Sequence, residues 1–273
     1  MKKSTLSWIQ GEIIGTFLLV FFGCGSVATA VAVGAPVGLF QIAIIWGMGL
    51  ASAIYLTGKL SGAHFNPAIT IAFAVFTDFP ANRVPGYIMA QFIGAFLAAV
   101  TVYTLFGGAI EAFEAENEIR RGELASVATA KIFGEYFPNW GDSGFAERAK
   151  DSAYHFRACF AELLGTALLA LAIFGFIAKG NRTIPDSLIP AAIGMTLTVL
   201  ICIFAPISQG GFNPARDLAP RIFSTLAGWG KISFSANGIG WLTVYILSPI
   251  VGGLIGGFIA SKLVYGDGGE EGE

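Results

Sequence analysis

The chain has 273 residues, of which 55% are hydrophobic and only 12% charged, with 24 Phe, 36 Gly and a net charge of −2. A soluble domain carries about 25% charged residues, so the balance is that of a polytopic membrane protein, in which Gly lets helices approach closely. The slight acidity excludes a nucleic-acid partner, which needs a basic surface.

In chain order, Met1-Lys2-Lys3 precedes an apolar run as a signal peptide would. The run is long enough to span, since about 20 residues cover the hydrocarbon core. With Glu12 before it and no cleavage site, it reads as a retained first helix. Six segments are long and apolar enough to cross: 8–33, 39–57, 84–106, 154–178, 188–205 and 239–264. Two shorter apolar stretches, 67–76 and 214–226, each begin with Asn-Pro and run about half the crossing length. Asn at the N-cap followed by Pro at the first helical position is a strong helix start, so these are expected to be re-entrant half-helices. The segment 107–153 is the most polar part of the chain. Its Glu111, Glu114, Glu116 and Glu118, followed by Arg120-Arg121, read as a solvated face. The acidic, Gly-rich tail 266–273 reads as disordered. Cys24, Cys159 and Cys202 lie apart in apolar surroundings and read as packing or lipid-facing residues.

The order of parts repeats. Glu12-Ile13-Ile14-Gly15-Thr16 returns as Glu162-Leu163-Leu164-Gly165-Thr166, and Asn66-Pro67-Ala68 returns as Asn213-Pro214-Ala215. The offsets are 162 − 12 = 150 and 213 − 66 = 147. Three spans and one half-helix make each repeat, approximately 8–106 and 154–264. An odd number of spans inverts the second copy, so the fold class is an all-α membrane protein of six transmembrane helices and two half-helices in two inverted repeats, within one transmembrane domain. Corresponding interruptions in two such halves point to a site at the bilayer midplane. Lys2, Lys3, Lys59, Arg83, Lys179, Arg182 and Lys262 fall on one side of this topology. The positive-inside rule then puts both termini in the cytoplasm and 107–153 outside the cell membrane.

No constellation supports catalysis, a metal or a cofactor. The two histidines, His64 and His155, have no partners at ligand spacing, and His155 reads as interfacial. Two half-helix N-termini meeting head to head bring partial positive charge to Asn66 and Asn213. Their carboxamide oxygens cap their own helices while their N–H groups face the lumen. That arrangement favours uncharged hydroxylic solutes and rejects protons. Glu12 and Glu162 are expected to accept backbone N–H groups of the re-entrant loops; a proton relay is the alternative, but no chain of ionisable groups continues from either. Arg216, directly after the second motif, suits a selectivity constriction; the alternative is a snorkelling arginine.

These residues resemble the major intrinsic protein family, most closely its glycerol-facilitator branch. The resemblance runs from Glu12 to about Tyr265 and rests on both Asn-Pro-Ala boxes, Ser61-Gly62-Ala63-His64, and Arg216-Asp217 with Pro220 and Arg221. It implies a homotetramer in the lipid bilayer, one pore per subunit, and a four-residue filter of Trp46, Ile201, Gly210 and Arg216, with His64 and Asp217 in support. Glycerol facilitators carry Gly and Phe where this chain has Ile201 and Gly210, so bulky and small residues exchange walls. Phe212, two residues nearer Asn213, is the alternative fourth wall, and Tyr245 is a second departure, standing where that branch tends to have Pro. The implied function is passive conduction of glycerol and similar small uncharged solutes, with water following; a pore widened at Gly210 adds urea, ammonia and metalloid acids as candidates. A water-dominant channel is disfavoured by Trp46, Asp217 and the absence of a filter histidine. A secondary transporter would need a coupling-ion site or a relay, and neither is apparent.

Overall fold

The computed structural model describes residues 5–35, 37–139, 144–181 and 183–264, all helix or irregular connection without a strand among them. The tail expected at 266–273 lies outside the described residues, as do Lys2, Lys3 and Arg182. Helix α1 (Thr5–Val31), α2 (Leu39–Ser61), the half-helix α3 (Pro67–Phe76) and α4 (Val84–Glu116) form one repeat. Helix α5 (Ser152–Ile177), α6 (Ile189–Ser208), the half-helix α7 (Pro214–Ser224) and α8 (Gly240–Val264) form the other. The six long helices are apolar enough to cross a membrane. The half-helices, of 10 and 11 residues, reach only about 15 Å at 1.5 Å per residue, half the hydrocarbon thickness.

Small residues fix how the helices cross. Helices α2 and α6 meet at Gly47 and Gly194, where a Cβ on either would lie 2.3 Å from the other's carbonyl oxygen. Gly94 of α4 sits equally close to the Ile13 carbonyl of α1, and Gly252 of α8 to the Leu163 carbonyl of α5. These contacts are copies of one another: 194 − 47 = 147, 163 − 13 = 150 and 252 − 94 = 158. The extra 158 − 147 = 11 residues of the second copy fall between α7 and α8. Each half-helix packs against the last helix of the opposite repeat, α3 on α8 and α7 on α4. The halves are thereby threaded into one body.

Helix α4 continues to Glu116, beyond the expected end at 106. The expected solvated face holds at Glu111, Glu116, Glu118 and Arg120, which are exposed, and fails at Glu114. Glu114 is buried and accepts hydrogen bonds from Arg121 Nε (2.8 Å) and Thr129 Oγ1 (2.6 Å). The Arg121 guanidinium lies 4.0 Å from the Trp229 ring centroid. From Ser126 onward the loop folds inward, burying Val127, Ile132, Phe133, Glu135, Tyr136 and Phe137. The charge run hid an apolar segment that closes over one end of the bundle.

Candidate functional site

The two unwound loops are built alike. In the first, Glu12 accepts the backbone N–H groups of His64 (3.0 Å) and Phe65 (2.8 Å) and the Gln91 Nε2 amide (2.8 Å). In the second, Glu162 accepts those of Gly211 (2.9 Å) and Phe212 (2.6 Å) and the Ser208 hydroxyl (2.7 Å). Both carboxylates are fully buried, and each answers backbone donors that the loop leaves without helical partners. Phe65 and Phe212 take positive φ, 49° and 52°, a conformation costing about 1–2 kcal/mol for a residue with a Cβ. Each ring fills the space that a glycine leaves on the neighbouring helix, Phe65 at Gly15 and Phe212 at Gly165. The Phe212 ring is thus turned into the protein against α5.

Tyr245, a departure by sequence, has a plain structural counterpart. Its hydroxyl donates to the Ser208 carbonyl at the end of α6 (3.1 Å), as Tyr87 donates to the Ser61 carbonyl at the end of α2 (2.6 Å). The offsets agree: 245 − 87 = 158 and 208 − 61 = 147.

Asn66 Oδ1 accepts from Ala68 N (2.9 Å), and Asn213 Oδ1 from Ala215 N (3.0 Å) and Arg216 N (3.2 Å). Prolines 67 and 214 occupy the first helical positions, where no N–H is required. The amide nitrogens differ from the expectation that all their N–H groups face the lumen. Asn66 Nδ2 donates to the Phe212 carbonyl and Asn213 Nδ2 to the Phe65 carbonyl, both at 2.8 Å. The unwound carbonyls need partners at membrane depth, so each amide gives one N–H to the opposite loop and keeps one. Pro67, Ala68, Pro214 and Ala215 are buried where the half-helices meet.

Two cavities run toward each other through the bundle. The first, walled by Leu50, Phe73, Ile173 and Ile193, passes His64, Asn66 and Asn213. The second opens at the end covered by the 117–151 loop and is lined by Lys131, Glu135 and Asn139 among others. Four residues line both: Trp46, Ile201, Gly210 and Arg216. Phe212 borders the first cavity only. The Arg216 guanidinium carbon stands 4.2 Å from the Trp46 ring centroid, a cation–π contact that holds the charge where the two cavities meet.

Sequence reasoning missed Glu135. Its carboxylate forms an ion pair with Arg216, both side chains buried. Asp217 lines neither cavity and pins this loop: its Oδ1 accepts the Glu135 N–H (2.7 Å) and Arg221 Nη2 (2.8 Å), its Oδ2 accepts Arg221 Nε (3.0 Å). Arg221 also donates to the Glu135 carbonyl. Burial pushes the Glu135 carboxyl up to about 8, with Arg216 opposing that rise most strongly. The signal in the sequence was an apolar run, Ile132-Phe133-Gly134-Glu135-Tyr136-Phe137, around a single carboxylate. His155 hydrogen-bonds Thr243 (2.7 Å). The three cysteines are free, and no cluster that could hold a metal occurs among the described residues.

The comparisons agree with this architecture. The family model for major intrinsic proteins matches residues 1–260. The glycerol uptake facilitator protein of Escherichia coli (strain K12) is 39% identical over 255 residues, covering 93% of this chain and 86% of that one. The propanediol uptake facilitator of Citrobacter freundii is 36% identical over 97% of this chain and 94% of its own. Among solved structures, the aquaglyceroporin from Plasmodium falciparum superposes with a TM-score of 0.78 at 26% identity, covering 96% of this chain and 98% of that one. A match along nearly the whole sequence, two half-helices threaded into opposite repeats and paired Asn-Pro-Ala boxes lead to one conclusion: the chain belongs to the major intrinsic protein family.

Proposed function

We propose that the protein is a passive channel, not an enzyme, that conducts glycerol and similar small uncharged solutes such as urea together with water. The observation that carries this reading is the meeting of two cavities at Trp46, Ile201, Gly210 and Arg216. Trp46 and Ile201 offer an apolar wall to a carbon backbone, and Arg216 offers donors to hydroxyl oxygens. The relatives named for glycerol and propanediol uptake support a three-carbon polyol as the solute. Those four residues form the filter, and Asn66 and Asn213 form a second polar station between the half-helix starts. Glu12, Glu162 and Asp217 hold the loops, and His64 lies against the lumen. Both cavities are lined by residues of this chain, so in a homotetramer in the cell membrane each subunit has a pore of its own. Both termini lie in the cytoplasm, with the Glu135 loop outside.

Stopped-flow light scattering on proteoliposomes tests the reading. Glycerol flux should rise linearly with its gradient and ignore imposed proton or sodium gradients. Glycerol accumulation driven by either ion gradient would show a coupled transporter instead. Water flux without glycerol flux would show a water-dominant channel.

A further inference from the structure

The second cavity sets two cations against at most one carboxylate. Its charged lining side chains are Lys131, Glu135 and Arg216. When ionised, Glu135 is committed to Arg216, with both side chains buried. When protonated, it answers neither cation. Lys131 stands four residues before Glu135 and forms no ion pair among the described residues. It is half-buried. Burial pushes its ammonium down, and Glu135 is the charge that opposes this. A charge withdrawn from water calls for a partner, and here one carboxylate serves two.

The loop cannot carry Lys131 away. Ala128, Thr129, Ala130, Ile132 and Phe133 around it are buried. Its N–H donates to the Val127 carbonyl (3.1 Å), and Asp217 holds the Glu135 N–H (2.7 Å). Neutral donors join the cations. The Gln209 side chain, at the end of α6, accepts the Tyr136 N–H through Oε1 (2.5 Å). A flipped amide would set donor against donor, so Nε2 is free of that bond and remains a donor. Gln209 and Asn139 line the same cavity. The rest of the wall is largely hydrocarbon: apart from Trp46, α1 and α2 contribute only Val27, Ala30, Val31, Leu39 and Ile42.

We propose that the second cavity is a binding site for a small organic anion, a carboxylate or sulfonate on a short hydrocarbon chain. Lys131 and Arg216 hold the anionic head, the Gln209 and Asn139 amides complete its hydrogen bonds, and the chain lies on the apolar wall. Bound there, the anion closes the pore. Arg216 lines both cavities, so a ligand drawn to it stands in the path of a polyol. The closure rests on the reading of the chain as a polyol channel; the binding does not. An uncharged polyol gains little from the Lys131 charge, so the site selects a class of molecule unlike the solute.

Butane-1-sulfonate is the probe, because it stays ionised and does not cross bilayers as a neutral acid. Isothermal titration calorimetry on the full-length protein in lipid nanodiscs should show saturable binding, about one site per chain. Lys131→Gln should weaken it about tenfold, the worth of one hydrogen bond to a charged group, and Asn139→Ala about fivefold, the worth of a neutral one. Lys131→Arg should retain it. Butyltrimethylammonium, of opposite charge, should not bind. In proteoliposomes with the sulfonate on both sides, glycerol flux should fall as the site fills, and added salt should relieve the block. Absence of saturable binding, equal affinity in Lys131→Gln and the parent, or equal binding of the ammonium ion overturns the site. Binding that leaves glycerol flux unchanged overturns the closure. If the unaltered protein passes no glycerol without the probe, the channel reading fails, and calorimetry still judges the site. Should Lys131→Gln not fold, unchanged affinity in Asn139→Ala overturns the proposal in its place.

Discussion

Replacing Glu135 by Gln keeps the shape of the side chain beside Arg216 while fixing it in an uncharged form. Burial holds the Glu135 carboxyl at about 8 against an ordinary 4.5, so below about pH 8 it is protonated and Arg216 stands without a counter-charge. Above that value the pair is neutral as a whole. An unpaired guanidinium attracts a small anion about 5 Å away by about 3 kcal/mol at an effective dielectric of about 20, roughly a hundredfold in occupancy. Nitrate or chloride leak into vesicles holding an anion-quenched dye should therefore be low at pH 9 and higher at pH 6.5, with a midpoint near 8. Glu135→Gln should keep the low-pH behaviour at every pH, and cations should stay excluded throughout. Glycerol flux should change far less, since a neutral solute does not feel net charge. Stability carries the same signature. The folded protein retains this proton above pH 4.5, where the unfolded chain has lost it, so the contribution is complete below 4.5 and disappears as pH rises through about 8. Melting in detergent should show that decline in the parent and lack it in Glu135→Gln. A folded variant with the parent's pH profile in both leak and melting would refute the reasoning.

Arg216→Val removes the fixed charge over Trp46 and should raise proton or cation leak, further with an added Asn66 or Asn213 substitution; voltage-dependent dye release measures it. Gly47→Ala drives a Cβ to 2.3 Å from the Gly194 carbonyl oxygen and should cost about 1–3 kcal/mol or more by overpacking, lowering the yield of folded protein in size-exclusion chromatography, whereas Gly25→Ala, with nothing within 4 Å of its Cβ, should match the parent. Gly210→Phe puts a bulky residue at φ 73°, so glycerol flux should fall far more than water flux and stability by about 1–2 kcal/mol. Adding Ile201→Gly should restore glycerol flux but not stability, because that strain lies in the backbone; unchanged glycerol flux in the folded single variant would remove Gly210 from the constriction.

The spans were legible because each carries an unbroken apolar run, and the half-helices because Asn-Pro marks a helix start that length forbids from crossing. The paired glutamates were legible as costly groups that need partners in a bilayer. Glu135 was not: a buried carboxylate in an irregular loop has no periodicity, and the charges of 111–121 dominate its neighbourhood. The structural role of Tyr245 was hidden for a different reason. Its likeness is to Tyr87 in the other half, at an offset of 158, and the 11 inserted residues hide that correspondence from a comparison made at 147. The reciprocal amide bonds of Asn66 and Asn213 could be assigned only once two positively curved loops, 147 residues apart, were seen to expose a carbonyl to each other.

The two mouths of the pore are chemically unlike, one walled by leucine, isoleucine and phenylalanine, the other by Lys131, Glu135 and Asn139. A molecule meets them in opposite order according to its direction of travel. Detailed balance nevertheless requires equal permeability both ways at low concentration, since a conduit without an energy source cannot rectify. The asymmetry can set only the concentration at which each approach saturates and the impostors that each mouth turns away. Net inward movement must therefore come from whatever reaction removes the solute after it arrives.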